Sequence, residues 1–100
     1  MGKSQRDKGY RTENTLVHAF RAYNIEAKRV PLSGGTSFCK GDLMVTVKGE
    51  ELRLESKARA NGFKQLYQWL EGNDVLAVKA DRRETLIVLP LKRFCELVTK

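Results

Sequence analysis

The chain has 100 residues, of which 41% are hydrophobic and 31% charged, and it carries a net charge of +7 at neutral pH. This composition indicates a globular chain rather than a disordered one, with room for one hydrophobic core but not two. No run of about 18 apolar residues exists, so we expect a soluble, non-secreted protein without a membrane partner. The dispersed positive charge favours a polyanion as partner. Nucleic acid is considered before an anionic membrane surface, and it is the partner that we expect.

Residues 1–9 are predicted to form a flexible basic arm in front of a single domain that covers residues 10–100. The basic side chains of this arm lie among small polar residues, at Lys3, Arg6 and Lys8. Such charges can contact phosphates or simply keep a protein soluble, and the sequence leaves both open.

A helix is predicted from about Tyr10 to Tyr23, because Leu16, Val17 and Phe20 recur on one stripe at helical spacing. Glu13 falls on the same stripe, where a carboxylate is costly unless it is paired. Glu13 is therefore a candidate third acid for the metal site predicted below. The alternative is a first-turn glutamate that the helix dipole favours.

A strand is predicted from Ile25 to Val30, and Pro31 ends it. Residues 32–40 then form a loop of glycines and hydroxylated residues. Glycine lets the backbone approach a phosphate closely, and hydroxyl groups can donate hydrogen bonds to its oxygens. An ordinary connecting loop has much the same composition.

A β-hairpin is predicted from two apolar or β-branched segments, Asp42–Val47 and Glu50–Lys57, joined by the turn Lys48–Gly49. A two-residue loop places Val47 opposite Glu50. Counting along the ladder then brings Asp42 opposite Glu55, with their Cβ atoms about 4.5–5.5 Å apart. A three-residue loop would turn these two acids to opposite faces.

Two carboxylates at that distance repel each other unless a proton or a cation lies between them, and their hard oxygen atoms suit Mg²⁺ or Mn²⁺. Lys57 stands on the same face as Glu55, one pleat along the strand. A divalent cation, two carboxylates and an ammonium group are suited to phosphodiester hydrolysis. The alternative is a pair of surface carboxylates beside a solvated lysine.

The remaining elements complete an α/β chain. A helix is predicted at about residues 63–70, followed by two buried strands at Val75–Val78 and Thr85–Leu89. Pro90 opens a final helix in which Cys95 belongs to the inward stripe. Cys39 and Cys95 lie on different elements, and we expect both to be reduced thiols.

The order of these elements and motifs resembles the PD-(D/E)xK nuclease superfamily, and within it the archaeal-type Holliday-junction resolvases. The resemblance rests on Lys8-Gly9 followed by Glu13, on Gly41-Asp42 in place of a Pro-Asp pair, and on Glu55-Ser56-Lys57 as E-x-K. Arg29-Val30, the Ser33-Gly34-Gly35 loop and residues 76–79 also match the family pattern. It implies a restriction-endonuclease-like fold, with a mixed central sheet of about five strands flanked by helices.

The resemblance also implies a catalytic site. Asp42, Glu55 and the Ser56 carbonyl would hold Mg²⁺, for which Mn²⁺ would substitute, and Glu13 would complete the acidic cluster. Lys57 would position the attacking water, and Ser33 would contact the scissile phosphate or a metal-bound water. The residues expected to contact DNA are Lys3, Arg6, Lys8, Arg11, Arg29, Ser33, Gly34, Gly35, Lys40 and Arg59.

Our first hypothesis is therefore a Mg²⁺-dependent endonuclease that nicks four-way DNA junctions during recombination and repair. A junction needs two symmetric cuts, so a homodimer is expected. Its expected location is the cytoplasm of a prokaryote, or of the host of a phage that encodes it. The alternatives are a less selective nuclease of the same superfamily, acting in repair or restriction, and a basic DNA-binding module without catalytic activity.

Overall fold

A computed structural model describes residues 2–30 and 42–100, with side chains described from Arg11 onward. In chain order the elements are α1 (Gly2–Ala22), β1 (Glu26–Arg29), β2 (Leu43–Val47), β3 (Glu50–Leu54), α2 (Lys64–Leu70), β4 (Leu76–Val78), β5 (Leu86–Val88) and α3 (Leu91–Val98). The predicted loop with Ser33, Gly34, Gly35 and Lys40 lies outside the described residues. A mixed α/β chain is thus confirmed.

The chain divides into two compact units, one up to Ala58 and the other covering Arg59–Val98, and the single domain over residues 10–100 stays a prediction. In the first unit the described strands make an antiparallel sheet in the order β1-β2-β3, and in the second β4 pairs with β5. The described strands thus form two small antiparallel sheets, and the mixed central sheet of about five strands stays a prediction. Short connections explain the antiparallel pairing of β2 with β3 and of β4 with β5, because a parallel crossover needs a dozen or more residues.

Helix α1 begins at Gly2, so it includes most of the segment that the sequence predicted as an arm. Lysine, arginine and glutamine are frequent in this segment, and they lose little side-chain freedom in a helix. The predicted apolar stripe is confirmed, since Val17 and Phe20 are buried. His18 is exposed, as expected for a residue off the stripe.

The end of α1 is fixed by a left-handed residue. Asn24 has φ 62°, the Asn24 N–H donates to Arg21 O at 2.9 Å, and the Ile25 N–H donates to Phe20 O at 3.1 Å. This is a Schellman motif, and asparagine is one of the few residues besides glycine that tolerate its left-handed position. Ile25 and Phe20 are both buried, so the motif also directs the chain into β1 over the core.

The core of the first unit lies on one face of the three-stranded sheet. Ala27 pairs with Val45 across β1 and β2, and both are buried, as is Leu43. Alternation along each strand places these side chains together on the same face.

Arg21 covers the open edge of β1. Its Nε and Nη2 atoms donate to Ala27 O at 3.2 and 2.9 Å. The Val30 N–H bonds to β2, at Asp42 O, so alternation directs the backbone groups of Ala27 away from β2. The guanidinium therefore satisfies a carbonyl that the sheet leaves unpaired.

The second unit departs from the sequence prediction in the burial of its strands. Leu86 and Ile87 of β5 are 58% and 60% exposed, although their continuous apolar run predicted a buried strand. A two-stranded sheet has no neighbouring strand beyond either edge, so its side chains stay accessible where no helix covers them.

Helix α3 carries Cys95 on its inward side, as predicted, and the side chain is fully buried. Burial, and secondarily the Glu96 carboxylate, raise the pKa of the Cys95 thiol above its ordinary value. The side chain is therefore a protonated thiol at neutral pH. Among the described helices, none combines the length and apolar character needed to cross a membrane.

The hairpin turn generates the first prediction. Lys48 and Gly49 have φ values of 51° and 82°, as a type I′ turn requires, and no atom lies within 4 Å of a Cβ built on Gly49. Gly49→Ala should therefore lower the free energy of unfolding by about 1–2 kcal/mol through backbone strain alone. Urea denaturation measures this, with Lys48→Asn as the control that keeps a tolerant residue in the turn. Equal stability of Gly49→Ala and the parent chain would contradict the turn geometry.

Candidate active site

The register of the β2–β3 hairpin agrees with the sequence prediction. Val47 pairs with Glu50 across the two-residue turn, and the ladder continues to Leu43 opposite Leu54. A further step in the same register would bring Asp42 opposite Glu55, but the Asp42 N–H donates to Leu54 O and the paired ladder ends at Leu43 and Leu54. The two acids thus lie at neighbouring strand ends, thirteen residues apart in sequence.

Asp42 is bound to the end of β3 through both its backbone and its side chain. Its N–H donates to Leu54 O at 2.8 Å, and its Oδ2 accepts the Ser56 N–H at 2.8 Å. The carboxylate is half-buried and lies against the backbone that follows Glu55. Among residues 2–30 and 42–100, its second oxygen has no hydrogen-bond partner, so there it can accept a cation or a donor.

Glu55 and Lys57 form an ion pair on the surface. Lys57 Nζ lies 3.0 Å from Glu55 Oε2, with 55% and 57% of the respective side chains exposed. The contact confirms that the first and third residues of E-x-K share a face. An ion pair this exposed contributes little to stability, so substrate or metal can rearrange it at small cost.

Glu13 pairs with Arg29, whose side chain is 39% exposed. Arg29 Nε lies 2.9 Å from Glu13 Oε1, and only 18% of the Glu13 side chain is exposed. Arg29 pairs with Leu43 in the sheet register, so alternation places it on the buried face beside α1. A carboxylate on the helical stripe was expected to need a partner. Its partner is Arg29, which the sequence analysis predicted to contact DNA.

The three predicted acids do not gather into one group. Within residues 2–30 and 42–100, no three histidine, cysteine or carboxylate side chains lie close enough to hold a metal ion. Strand alternation gives the reason: Leu43 and Leu54 share the face of Arg29, whereas Asp42 and Glu55 are each one residue further along. The role of Glu13 as a third acid stays a prediction.

The donor set at the strand ends fits a magnesium ion without Glu13. Asp42 and Glu55 offer carboxylate oxygens, and Ser56 offers a backbone carbonyl. Mg²⁺ binds through one or two carboxylates and retains several waters, so these hard donors match its chemistry. The hydrogen bond from the Ser56 N–H fixes the Asp42 carboxylate in advance.

The predicted DNA contacts fall into three groups. Arg11 and Arg59 are exposed, while Arg29 is held by Glu13. The backbone at Lys3, Arg6 and Lys8 belongs to α1. The loop residues Ser33, Gly34, Gly35 and Lys40, with the predicted catalytic role of Ser33, lie outside the described residues.

Comparison with known proteins gives no relative on which to rest a function: no family model, curated protein or solved structure matches this chain. The resemblance to the PD-(D/E)xK superfamily therefore rests on the order and spacing of short motifs.

The sequence prediction missed the ion pair between Glu13 and Arg29. Two signals could have found it. Glu13 lies on the buried stripe of α1, and Arg29 is two residues from the buried Ala27 on β1, so the two share one face of the strand. Both signals place a charge on the side where the helix meets the sheet, and only opposite charges are stable there.

The ion pair generates the second prediction. In a double-mutant cycle, Glu13→Gln and Arg29→Met should show a coupling of roughly 0.5–1 kcal/mol at low salt, because the glutamate is mostly shielded from water. The coupling should shrink at about 1 M salt, where screening is strong. Urea denaturation of the four chains measures it.

A matched control is the pair Arg93 and Glu96, whose atoms are 3.6 Å apart with 42% and 37% of the side chains exposed. Its coupling should be the smaller of the two. Coupling of Glu13 to Arg29 no larger than this control would contradict a structural role for the pair.

Proposed function

We propose that the protein is a Mg²⁺-dependent DNA endonuclease that cuts four-way junctions and acts as a homodimer. The observation that supports this most is the hairpin register, which directs Asp42 and Glu55 to neighbouring strand ends. The contacts of Ser56 with Asp42 and of Lys57 with Glu55 complete an E-x-K arrangement beside an aspartate.

The proposed chemistry divides between the metal and the chain. Bound Mg²⁺ would activate a water and offset negative charge on the phosphate. Asp42 supplies a carboxylate that the Ser56 N–H holds in place, so little reorganisation is needed when a cation arrives. Glu55 supplies a second carboxylate that solvent already reaches.

Lys57 has two roles in this proposal. Its ammonium group lies 3.0 Å from Glu55 and is over half exposed, so it can leave the carboxylate for an incoming phosphate or water. There it donates hydrogen bonds that orient the attacking water and stabilise the negative charge that develops on the phosphate oxygens. A strongly hydrated, mobile point charge suits this role.

The partner and the assembly follow from charge and symmetry. A net charge of +7 attracts a polyanion, and the exposed Arg11 and Arg59 are available to phosphates. A branched duplex needs two cuts related by symmetry, which a two-fold pair of identical sites supplies. The proposal includes a restriction-endonuclease-like fold with a mixed central sheet of about five strands, and action in the cytoplasm.

A second candidate is a basic DNA-binding module without catalysis. It is favoured by the fact that Glu13 and Glu55 are each already paired with a cation of the protein. A less selective nuclease of the same superfamily has the same site and differs only in its substrates.

The third prediction separates these functions. Asp42→Asn keeps an oxygen that accepts the Ser56 N–H but removes the charge, so the fold should survive while cleavage falls by at least about 10²-fold. Glu55→Gln and Lys57→Met should lower cleavage to a similar degree and leave junction affinity nearly unchanged. The measurement is cleavage of labelled junction, duplex and single-stranded DNA, each with and without Mg²⁺.

The matched control is Glu51→Gln, which removes an exposed carboxylate from β3. Glu51 lies near the turn, opposite Thr46, and away from the proposed site. This variant should cut like the parent chain. Undiminished cutting by Asp42→Asn and Glu55→Gln would refute the site. If the parent chain binds DNA without cutting it, the DNA-binding module is favoured. If it cuts duplex and junction equally, the less selective nuclease is favoured.

A further inference from the structure

An apolar groove lies within the second unit, between α2 and the segment that leads from β5 into α3. Its volume is about 520 Å³, inside the roughly 300–1,000 Å³ range of pockets that hold small molecules. Phe63, Leu66, Tyr67 and Leu70 form one wall, and residues 88–91 form the other. Within the second unit, no described side chain fills the groove.

Tyr67 gives the groove an accessible aromatic ring. Its side chain lines the groove and is 75% exposed, the largest exposure among the big hydrophobic residues described. A ring that is this exposed contributes little to the core, whereas it offers a flat surface for stacking. Phe63, half-buried, adds a second aromatic side chain to the same wall.

Glu71 is the charged residue of the groove lining. Within the part of the chain that the structure describes, its carboxylate makes no hydrogen bond or ion pair, and the residue is exposed. An ionised carboxylate only accepts hydrogen bonds. The groove therefore offers one acceptor, suited to a ligand that carries an amino group on an otherwise apolar, flat body.

Two exposed lysines are adjacent in sequence to residues that line the groove. Lys64 directly follows Phe63, and Lys92 directly follows Leu91, and both lysines are exposed. An apolar slot with an aromatic wall and flanking ammonium groups is complementary to a nucleotide, whose base is flat and whose phosphates are anionic. A purely apolar partner would leave the lysines and Glu71 without a counterpart.

We propose that this groove binds one unpaired base of single-stranded DNA. The base stacks on Tyr67, its exocyclic amino group donates to Glu71, and the adjacent phosphates lie near Lys64 and Lys92. Because glutamate accepts well from the cytosine N4 amino group, cytosine is favoured over thymine, which lacks that group. The inference rests on the proposed function only in taking DNA as the polyanion. In a branched substrate, the groove would hold a base that is unpaired at the branch point.

The test measures binding of labelled oligodeoxycytidylate and oligothymidylate of equal length to the full chain, by fluorescence anisotropy in EDTA. Tyr67→Ala should weaken oligodeoxycytidylate binding at least about fivefold, the lower end of the effect of losing one base stack. Tyr67→Phe keeps the ring and should stay within about twofold of the parent. Glu71→Met removes the acceptor and should remove the preference for cytosine.

The matched control is Ile87→Ala, which removes an exposed apolar side chain outside the groove and should leave both affinities unchanged. Tyr67→Ala binding as tightly as Ile87→Ala would overturn the proposal. Loss of self-association in Tyr67→Ala with unchanged DNA affinity would also overturn it, since the groove would then be a contact between copies.

Because EDTA removes Mg²⁺, the outcome is independent of cleavage. Binding that depends on Tyr67, without any junction cutting, would support the groove and refute the nuclease. Junction cutting, together with binding that does not change in Tyr67→Ala, would support the nuclease and refute the groove.

Discussion

The structure of the first unit depends on a two-residue turn. Lys48 and Gly49 both adopt positive φ, and this conformation matches the twist of the strands it joins, so one register is selected. That register decides which side chains of β2 and β3 are buried. The turn therefore determines two things. Leu43 and Val45 lie in the core, and Asp42 and Glu55 lie at neighbouring strand ends.

Two kinds of carboxylate result from this arrangement. Glu13 is shielded and held by Arg29, where helix and sheet meet, whereas Glu55 is exposed and paired with Lys57. Asp42 lies between these extremes, half-buried and fixed by a backbone N–H. A shielded ion pair supports the packing, whereas the exposed pair of Glu55 with Lys57 can rearrange at small cost. The burial of each acid thus separates structural from chemical roles better than its place in a motif.

Local rules predicted most of the fold because the relevant interactions are local. The stripe on α1, the Lys48–Gly49 turn and the inward position of Cys95 each follow from spacing or turn chemistry within a few residues. The sequence did not predict which side chains from different elements contact each other. The arginine that holds Glu13 and the solvent that reaches Leu86 both depend on which elements meet, and no single-segment pattern contains that information.

The Arg21 side chain has a consequence for how this protein behaves among its own copies. An open strand edge is a template for the backbone of another molecule, and such pairing leads to aggregates. By occupying the outward carbonyl of Ala27 with two hydrogen bonds, the guanidinium withdraws an acceptor that an incoming strand would need. Its positive charge also repels the edge of a like molecule. Two copies of this basic chain are thereby hindered from pairing through β1.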